Sequence, residues 1–352
     1  MIRTLFVIGA ALTLVAPLAR ARDREVLREQ SESVVDARKV RALEVTNPHG
    51  LISVRRGAEG VIHLTALKVV TGGDAEHARR LAEATLVRTA DEGGRLMVRV
   101  EYPQRRRIEI GFWDLFKGME IPRVEVRLAF EVPADIVVYL RSTSGDLATY
   151  EVAGSQTLES TSGRIEVDQA RDLLKVSTVS GDIALTGVGR VGLSSVSGDI
   201  RVERAAGPLT MTTTSGDVVV LGAGDSLKVT SVSGEIQVDG AKRGLTVRTT
   251  SGDVEVRASG RLSISTASGD ARVSVESPLA GAEIGTVSGD IRLRLIGGLG
   301  CALDARTASG SIDLLVPLDV HTVSRQRVAG AVRRGTAPVV LHSSSGDIHV
   351  QN

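Results

Sequence analysis

Ser180-Gly181-Asp182 recurs as Ser197-Gly198-Asp199 and again as Ser215-Gly216-Asp217, and these triplets belong to a longer series. Eleven Ser-Gly pairs stand in register along the chain, at intervals of 17 to 21 residues except for a last interval of 36. Their glycines are residues 145, 163, 181, 198, 216, 234, 252, 269, 289, 310 and 346. A period this steady is typical of stacked, equivalent coils. The sequence therefore predicts an all-β fold, a single-stranded β-solenoid (β-helix) with coils of about 18 residues.

Apolar residues hold fixed places around each Ser-Gly pair. Counted from the serine as zero, positions −4 and +3 are apolar in all eleven coils. Up to the serine, inward and outward residues alternate as in a strand with one buried face, with even-numbered positions facing inward. After the serine the inward positions are odd-numbered, +3 and +5, so the alternation shifts by one residue. A straight strand cannot shift in this way. Gly-Asp is therefore predicted to be a corner, and small residues at +8 in most coils predict a second, tighter corner.

Two polar positions flank the first corner. Position −2 is serine or threonine in all eleven coils, and position +2 is acidic in nine, with Arg164 and Ser311 as the exceptions. The −2 hydroxyls face inward, so we expect them to satisfy backbone groups at the turn rather than to line a ligand groove. We expect the acids to accept turn N–H groups. The alternative is a row of calcium sites, although calcium takes roughly six to eight oxygen ligands and each coil offers one carboxylate.

Two further features of the coils carry open interpretations. The outward position −1 holds only threonine, valine, alanine and serine, which predicts either a docking stripe for a partner or a plain sheet surface. The last interval of 36 residues equals two periods, which predicts a coil that has lost its Ser-Gly pair. That coil is expected to bulge as a basic loop containing Arg325, Arg327 and Arg333-Arg334.

The N-terminus has the pattern of an export signal. Met1-Ile2-Arg3 is followed by an apolar run from Leu5 to Leu18 and by Ala19-Arg20-Ala21. A basic start, a short apolar region and an Ala-x-Ala site predict a signal peptide over residues 1–21, cleaved after Ala21. A retained membrane anchor is the alternative. No later run is long and apolar enough to predict a transmembrane segment, so the mature chain is expected in the periplasm or at the cell surface, including the extracellular space.

Residues 22–135 are predicted to form a β-rich cap with one short helix, and residues 136–352 the solenoid repeat domain. The helix is expected over Asp74–Glu83, capped by Asp74 and with His77, Leu81 and Ala84 on one face. β-type patterns predict strands over 42–46, 51–55, 61–70, 84–89 and 95–101.

Two stretches of this cap stand out. Residues 43–54 follow the spacing of the later coils and predict an early, divergent coil or a cap that imitates one. The segment Arg105–Gly118 combines three arginines with Phe112, Trp113 and Phe116. It is expected either to cover the open end of the first coil or to touch a membrane or partner.

Composition excludes several classes of function. The chain has 43 basic and 42 acidic residues, so no global charge draws it toward nucleic acid. Its six histidines have no ligand spacing, and Cys301, the only cysteine, is predicted to be buried filler. Aromatic residues, which form platforms for sugars, are only 2% of the chain. We therefore predict no catalytic, cofactor-binding or metal-binding residues, and no cofactor.

The repeat resembles a known family. Val132-Pro133-Ala134 leads into Val138-x-Leu140-x-Ser142-x-Ser144-Gly145-Asp146, and repeats of the kind Leu-x-Val-x-Thr-x-Ser-Gly-Asp-Ile-x-Val follow. Together with Asn47-x-x-Gly50-x-Ile52-x-Val54, these residues are similar to the exported bacterial β-strand-repeat family called domain of unknown function 4097, also named "putative adhesin". The resemblance implies a single-stranded β-solenoid and offers no catalytic residues. Arg164, Ser311 and the basic segment 311–336 depart from the family pattern.

These observations predict a non-enzymatic exported scaffold, an adhesin or envelope interaction module with an unidentified protein or glycan partner. Self-association is a further expectation, and nucleic acid is not expected as a partner. One alternative is a β-helical enzyme acting on polysaccharide, which needs paired carboxylates or a basic residue in a groove. The others are a self-assembling filament and a calcium-stabilised repeat protein.

Overall fold

The computed structural model describes residues 12–13, 25–72, 75–103 and 122–352. Most of the predicted export signal, Asp74 and the segment Arg105–Gly118 lie outside the described residues, so the expectations for them stay predictions. Within the described ranges the chain forms 30 strands and one α-helix, and it divides into two compact units with the boundary between Ala170 and Arg171.

The first unit contains twelve strands, the helix and a 3-10 turn at Ala37–Lys39. In chain order they are β1 Leu12–Thr13, β2 Glu25–Asp36, β3 Ala42–Asn47, β4 Ile52–Arg56, β5 Val61–Thr71, α1 Ala75–Ala84, β6 Leu86–Asp91, β7 Arg95–Glu101, β8 Arg123–Val132, β9 Val137–Ser142, β10 Leu147–Tyr150, β11 Gln156–Ser160 and β12 Ile165–Asp168.

The second unit contains eighteen described strands and a 3-10 turn at Ile296–Gly298. They are β13 Leu173–Thr178, β14 Ile183–Thr186, β15 Arg190–Ser195, β16 Ile200–Ala205, β17 Leu209–Thr212, β18 Val218–Ala223, β19 Ser226–Thr230, β20 Ile236–Ala241, β21 Gly244–Ser251, β22 Val254–Ser268, β23 Ala271–Ser288, β24 Ile291–Leu295, β25 Cys301–Ser309, β26 Ile312–Leu315, β27 Leu318–Ser324, β28 Arg327–Val332, β29 Pro338–Ser345 and β30 Ile348–Gln351.

Each coil of the second unit has one strand before the Ser-Gly-Asp corner and one after it. Each strand pairs in parallel with its equivalent in the neighbouring coil, as β15 does with β17 and β16 with β18. The registers join equivalent positions, for example Leu193 with Met211 and Val202 with Val220. The predicted β-solenoid is confirmed.

The core follows the repeat. Position −4 is buried in all eleven coils, and position +3 is buried in ten, with Ile312 only half-buried. Since each coil contributes a few aliphatic side chains, at about 1.5–3 kcal/mol for each fully buried one, stacking is what makes the coils stable.

The second corner lies at positions +7 and +8. The +7 residue adopts a left-handed backbone in six successive coils, with φ between 54° and 79°, at Glu151, Gln169, Gly187, Arg204, Gly222 and Gly240. The small residue at +8 is buried in each of these coils, for example Ala205 and Ala223. The tighter second corner is confirmed, and the left-handed residue is what closes it.

The coils at the C-terminal end are not stacked in chain order. The last strands, β29 and β30, pair with β23 and β24 on one side and with β25 and β26 on the other. The C-terminal residues therefore form an inserted coil, and residues 301–315 form the coil at the end of the stack.

The prediction of a lost coil with a basic bulge in the 36-residue interval is wrong. Residues 318–332 form an antiparallel hairpin, in which β28 pairs with the outer edge of β25 and β27 pairs with β28. An antiparallel cap occupies the edge that another coil would otherwise continue.

A shared carboxylate fastens this hairpin. Asp304 of β25 accepts hydrogen bonds from Arg306 and from Arg327 of β28. The two guanidinium groups hold the pKa of Asp304 at about 2, well below its usual range. Arg327, predicted as part of a loose basic loop, is thus a structural clamp.

The first unit has a similar inserted coil. Strands β3 and β4 lie between β7 and β8 on one side and β9 and β10 on the other, all in parallel. Leu43, Val45, Ile52 and Val54 are fully buried there. The divergent coil predicted over 43–54 is therefore a true coil, and β5 and β2 cap β8 in antiparallel fashion beyond it.

The helix is confirmed over Ala75–Ala84, and its buried side is not the face that holds His77, Leu81 and Ala84. Ala78 and Ala82 are the buried residues, whereas His77 and Ala84 are exposed. The two alanines pack with Val70, and Leu81 is partly buried beside them. Small side chains let the helix lie close to the strands, which a propensity argument does not reveal.

Candidate functional site

The −2 hydroxyls form a buried ladder, as predicted. All eleven are at most 8% exposed: Ser142, Ser160, Thr178, Ser195, Thr213, Ser231, Thr249, Thr266, Thr286, Thr307 and Ser343. Ser142 accepts the N–H of Gly145 at 2.8 Å, and Ser231 donates to the carbonyl of Ser233 at 2.9 Å. Thr307 donates across coils to the carbonyl of Gly346 at 3.0 Å. Ten of the eleven hydroxyls bond to backbone at the corners in this way, whereas the buried Thr266 hydroxyl has no hydrogen-bond partner among the described residues. Because all eleven are buried, they line no groove that a ligand could enter.

The acids at +2 also bond to backbone, but to that of the neighbouring coil. In eight of the nine acids, all but Glu235, one carboxylate oxygen accepts the N–H of the +2 residue one coil on, at 2.7 to 3.0 Å. The pairs, acceptor first, are Asp146–Arg164, Asp182–Asp199, Asp199–Asp217, Asp217–Glu235, Asp253–Asp270, Asp270–Asp290, Asp290–Asp347 and Asp347–Ser311. The acid ladder thus ties coil to coil, whereas the sequence predicted a bond within each turn.

The ladder explains one of the two breaks in the acid row. Ser311 belongs to the coil at the end of the stack, so among the described residues no further coil presents an N–H to it, and an acid there would have no ladder bond to make. Its own N–H and hydroxyl both donate to Asp347. Arg164 needs only its backbone N–H to receive the bond from Asp146, and β12 keeps register with β10. Neither departure disturbs the coil geometry.

Arginines occupy the outer oxygens over part of the row. Arg272 bridges Asp253 and Asp270, and Arg292 bridges Asp270 and Asp290, at 2.9 to 3.2 Å. Although burial opposes it, the N–H of Asp290 and the Arg292 guanidinium lower the pKa of Asp270. Within the described ranges, no three His, Cys, Asp or Glu side chains are grouped so as to hold a metal ion.

We expect Asp217→Ala to lower the free energy of unfolding by about 1–2 kcal/mol, because it leaves the N–H of Glu235 without its charged acceptor. Asp217→Asn keeps an acceptor oxygen at the same place, so we expect less than half of that loss. Urea denaturation of both variants tests the tie. Equal losses would mean that the negative charge, rather than the hydrogen bond, is what the position requires.

One arrangement in the first unit has the residue types of a hydrolytic pair. His49 Nδ1 lies 2.8 Å from Ser144 Oγ, a contact that the sequence did not show because the two residues are 95 positions apart. Nucleophilic catalysis also needs a third group that orients the base. Here the His49 ring packs edge-on against Tyr102, with 5.1 Å between ring centroids, and the Tyr102 hydroxyl is engaged with Asn47. Burial raises the pKa of Tyr102, so this hydroxyl stays neutral. The cluster joins two coils at a corner.

The outward −1 positions of the second unit form an exposed stripe. Val179, Val196, Val232 and Val287 are 48 to 57% exposed. The other members are Thr214, Thr250, Ala267, Ala308 and Ser344. The parallel registers place equivalent residues of adjacent coils side by side, about 4.8 Å apart. The result is a flat, uncharged, mildly apolar band, which we call the valine stripe.

Charge in the second unit is sorted by side, which the sequence analysis missed. From Arg171 to Arg261, the second corner and the outward positions of the strand that follows it carry nine basic and two acidic residues. We call this the basic face: Arg171, Lys175, Arg190, Arg204, Lys228, Lys242, Arg243, Arg248 and Arg261, with Asp172 and Asp225.

The opposite side of the same coils is acidic. The first corner and the outward positions of the strand after it carry eight acidic and two basic residues. We call this the acidic face: Asp182, Asp199, Glu203, Asp217, Glu235, Asp239, Asp253 and Glu255, with Arg201 and Arg257. The signal was present in the sequence, since the charge changes sign across each Ser-Gly-Asp, but a sum over the chain hides it.

Cys301 is buried and free, as predicted. Burial raises the pKa of its thiol to about 11, so it is not a reactive thiolate at neutral pH. Among the described residues, no helix has the length and apolar character needed to cross a membrane.

Comparison with known proteins matches the repeat to a family. The family model described as Toastrack DUF4097 matches residues 186–351. No curated protein matches the chain in sequence.

Three solved structures are similar in fold at low identity. A protein from Parabacteroides distasonis described as a "putative lipid binding protein" is 14% identical with a TM-score of 0.43, covering 75% of this chain and 96% of its own. A "putative adhesin" from Parabacteroides merdae is 10% identical with a TM-score of 0.33, covering 75% and 95%. A "putative cell adhesion protein" from Clostridium sporogenes is 7% identical with a TM-score of 0.24, covering 92% and 99%.

Proposed function

We propose that this chain is an exported, non-enzymatic scaffold that binds an envelope or surface partner on its valine stripe. The proposal starts from the match of residues 186–351 to the Toastrack DUF4097 family. The observation that carries the proposal is the contrast between two kinds of repeated residue. The repeated hydroxyls and carboxylates bond to backbone, whereas the repeated outward valines are about half exposed.

The internal use of the polar repeats supports a non-enzymatic role. A hydrolase that acts on polysaccharide needs two carboxylates, or an acid and a base, free to face a substrate. Eight of the nine corner carboxylates that would be the repeated candidates, all but Glu235, bind an N–H of the next coil, and Asp253, Asp270 and Asp290 also bind arginine. The repeated carboxylates therefore stabilise the contact between adjacent coils.

The geometry of the valine stripe supports docking. Strands that pair in parallel register present their outward side chains in straight rows, so a partner meets the same chemistry at each coil. An uncharged band is inexpensive to dehydrate, and the exposed valines supply apolar area. A flat, mildly apolar surface of this kind suits an extended protein segment or the apolar face of a glycan.

Export supports an envelope partner. The basic start, apolar run and Ala-x-Ala site of residues 1–21 are those of a signal peptide, and we propose the periplasm or the cell surface as the location. N-terminal sequencing of the protein recovered from the envelope fraction tests this directly. A mature chain that starts at Arg22 is the expected result, and a chain that still starts at Met1 would contradict cleavage.

The docking proposal is tested by placing charge on the stripe. We expect the double variant Val196→Lys and Val232→Lys to lose the partner that the immobilised wild-type chain captures from its own envelope fraction. The control variant carries two lysines on the opposite sheet, Gln237→Lys and Ser274→Lys, and should capture the partner as the wild type does. Both variants must keep the wild-type melting temperature, since all four positions point outward.

Two outcomes would contradict the proposal. Equal capture by all three proteins would leave the valine stripe as ordinary sheet surface. Turnover of any member of a polysaccharide panel by the wild type would overturn the non-enzymatic role.

A further inference from the structure

The basic and acidic faces carry opposite charge, and each favours binding to a partner surface of the opposite sign. Formal net charge is only +1 over the whole chain, yet within Arg171–Arg261 one side is strongly basic and the other strongly acidic. Charges of one sign gathered on one face repel one another, and a partner of opposite sign relieves that repulsion. Each face would be stabilised by a partner of opposite charge, and the other face of a second copy carries that charge.

The basic side chains of the basic face form no ion pairs among the described residues. On the acidic face, Arg201 pairs with Glu203 at 2.8 Å, and Arg257 pairs with Glu276 at 2.6 Å. In the part of the chain that the structure describes, by contrast, none of the nine basic side chains of the basic face forms an ion pair. All nine are exposed. They are therefore free to meet carboxylates from outside.

The two faces share one spacing along the solenoid axis. Both are built from the same coils, which repeat about every 4.8 Å. The acids concentrate at the first corner and the bases at the second, so they occupy opposite edges of each coil. A second copy laid alongside with its axis parallel brings an acidic edge against a basic edge, coil by coil.

We infer that the second unit binds a second copy of the chain side by side, with the acidic face of one copy against the basic face of the other. The contact uses two different surfaces, so it is heterologous, and each added copy leaves one basic and one acidic face free. Copies therefore assemble laterally into a row or raft. This association does not depend on the valine stripe and differs from stacking through the coil ends.

A second copy fits both faces better than an external polyanion does. A polyanion would neutralise the basic face and leave the acidic face without a partner from outside the chain, and only Glu203 and Asp253 of its eight acidic residues are paired with arginine among the described residues. The acidic face presents carboxylates at the same spacing as the basic side chains, since both repeat with the coil. A flexible polymer matches that spacing only by losing conformational entropy. Further copies of the chain provide opposite charge for both faces.

The strength of the association should depend steeply on salt. Exposed ion pairs are individually weak, and only a row acting together gives measurable binding. The Debye length falls from about 30 Å at about 0.01 M salt to about 8 Å at about 0.15 M. We expect the dissociation constant of the self-association to rise at least about tenfold over that range.

A charge-swap experiment tests the inference on the full chain by sedimentation velocity. The basic-face variant is Lys242→Glu, Arg243→Glu and Arg261→Glu. The acidic-face variant is Glu235→Lys, Gln237→Lys and Glu255→Lys, positions whose side chains make no ladder bond in the described structure. At about 0.01 M salt, we expect the wild type to form species larger than the monomer and each variant alone to stay monomeric. An equal mixture of the two variants should associate again, because each now supplies the face that the other needs.

Three outcomes would overturn the inference. The wild type could be monomeric at low salt, each variant could associate as strongly as the wild type, or the mixture could fail to restore association while both variants keep the wild-type melting temperature. Inorganic polyphosphate serves as the probe for the competing partner. If the wild type stays monomeric and binds polyphosphate while the basic-face variant does not, the basic face serves an external polyanion and the inference is wrong.

Discussion

Gly216→Ala is expected to lower the free energy of unfolding of the second unit by about 3 kcal/mol. Gly216 has a φ of +108°, which an L-amino acid adopts only with strain. A methyl group on Gly216 would also overlap the carbonyl oxygen of Gly198 in the adjacent coil, and a backbone oxygen cannot turn aside as the end of a flexible side chain can. Two separate penalties therefore act at one position.

Gly192→Ala is the matched control. Gly192 lies in β15, has no positive φ, and nothing lies within 4 Å of the place where its methyl group would stand. We expect this variant to be unchanged or slightly more stable, since alanine restricts the unfolded chain. Urea denaturation of both variants gives the comparison. Similar losses at Gly216 and Gly192 would mean that the corner glycines serve a general strand requirement and not a close approach.

The same contact recurs through the stack. At each corner from Gly198 onward, an added methyl group would meet the carbonyl of the corner glycine in the neighbouring coil. At the C-terminal end the order is Gly289, then Gly346, then Gly310, which is the spatial order of the coils and not their order in the chain. The sequence predicted glycine at this position for its backbone conformation. It could not show the close approach, which is a property of two coils and not of one.

This distinction describes what the sequence could predict in general. A period reports the geometry inside one coil, so the corner, the inward hydroxyls and the apolar positions were recoverable. In the cap, which has no such period, the strands β2 and β8 were not predicted. The period also does not report which coil lies next to which. For that reason the inserted coil at residues 338–351 and the hairpin at 318–332 were missed, and an interval equal to two periods was taken for a lost coil.

The candidate surfaces divide in the same way. The valine stripe was visible in the sequence because its residues hold one repeat position, −1. The basic and acidic faces were not seen, because their members occupy several positions, from Lys228 at −5 to Arg204 at +7, and only the closed coil gathers these positions onto one side. A net charge of +1 gave the opposite impression.

Ile348→Ala is expected to lower the free energy of unfolding by about 2–5 kcal/mol, and Ile312→Ala by about 1 kcal/mol or less. Both residues are isoleucines at position +3 of their coils. Ile348 is fully buried between Ile291 and Ile312, whereas Ile312 is half-buried on the last strand of its column, β26. Chain order alone predicts the reverse, because it would place Ile312 in a coil inside the stack and Ile348 in the coil after it.

Hydrogen exchange extends this comparison to the whole end of the stack. Loss of packing at Ile348 should release both neighbours, so Ile348→Ala should speed exchange in β24 and in β26, because β30 pairs with both. Ile312→Ala should speed exchange in β26 alone. If the larger loss of stability instead falls on Ile312, or if exchange in β24 is unchanged by Ile348→Ala, the coils are stacked in chain order and the inserted coil is wrong. The two isoleucines thus separate the order of the coils in space from their order in the sequence.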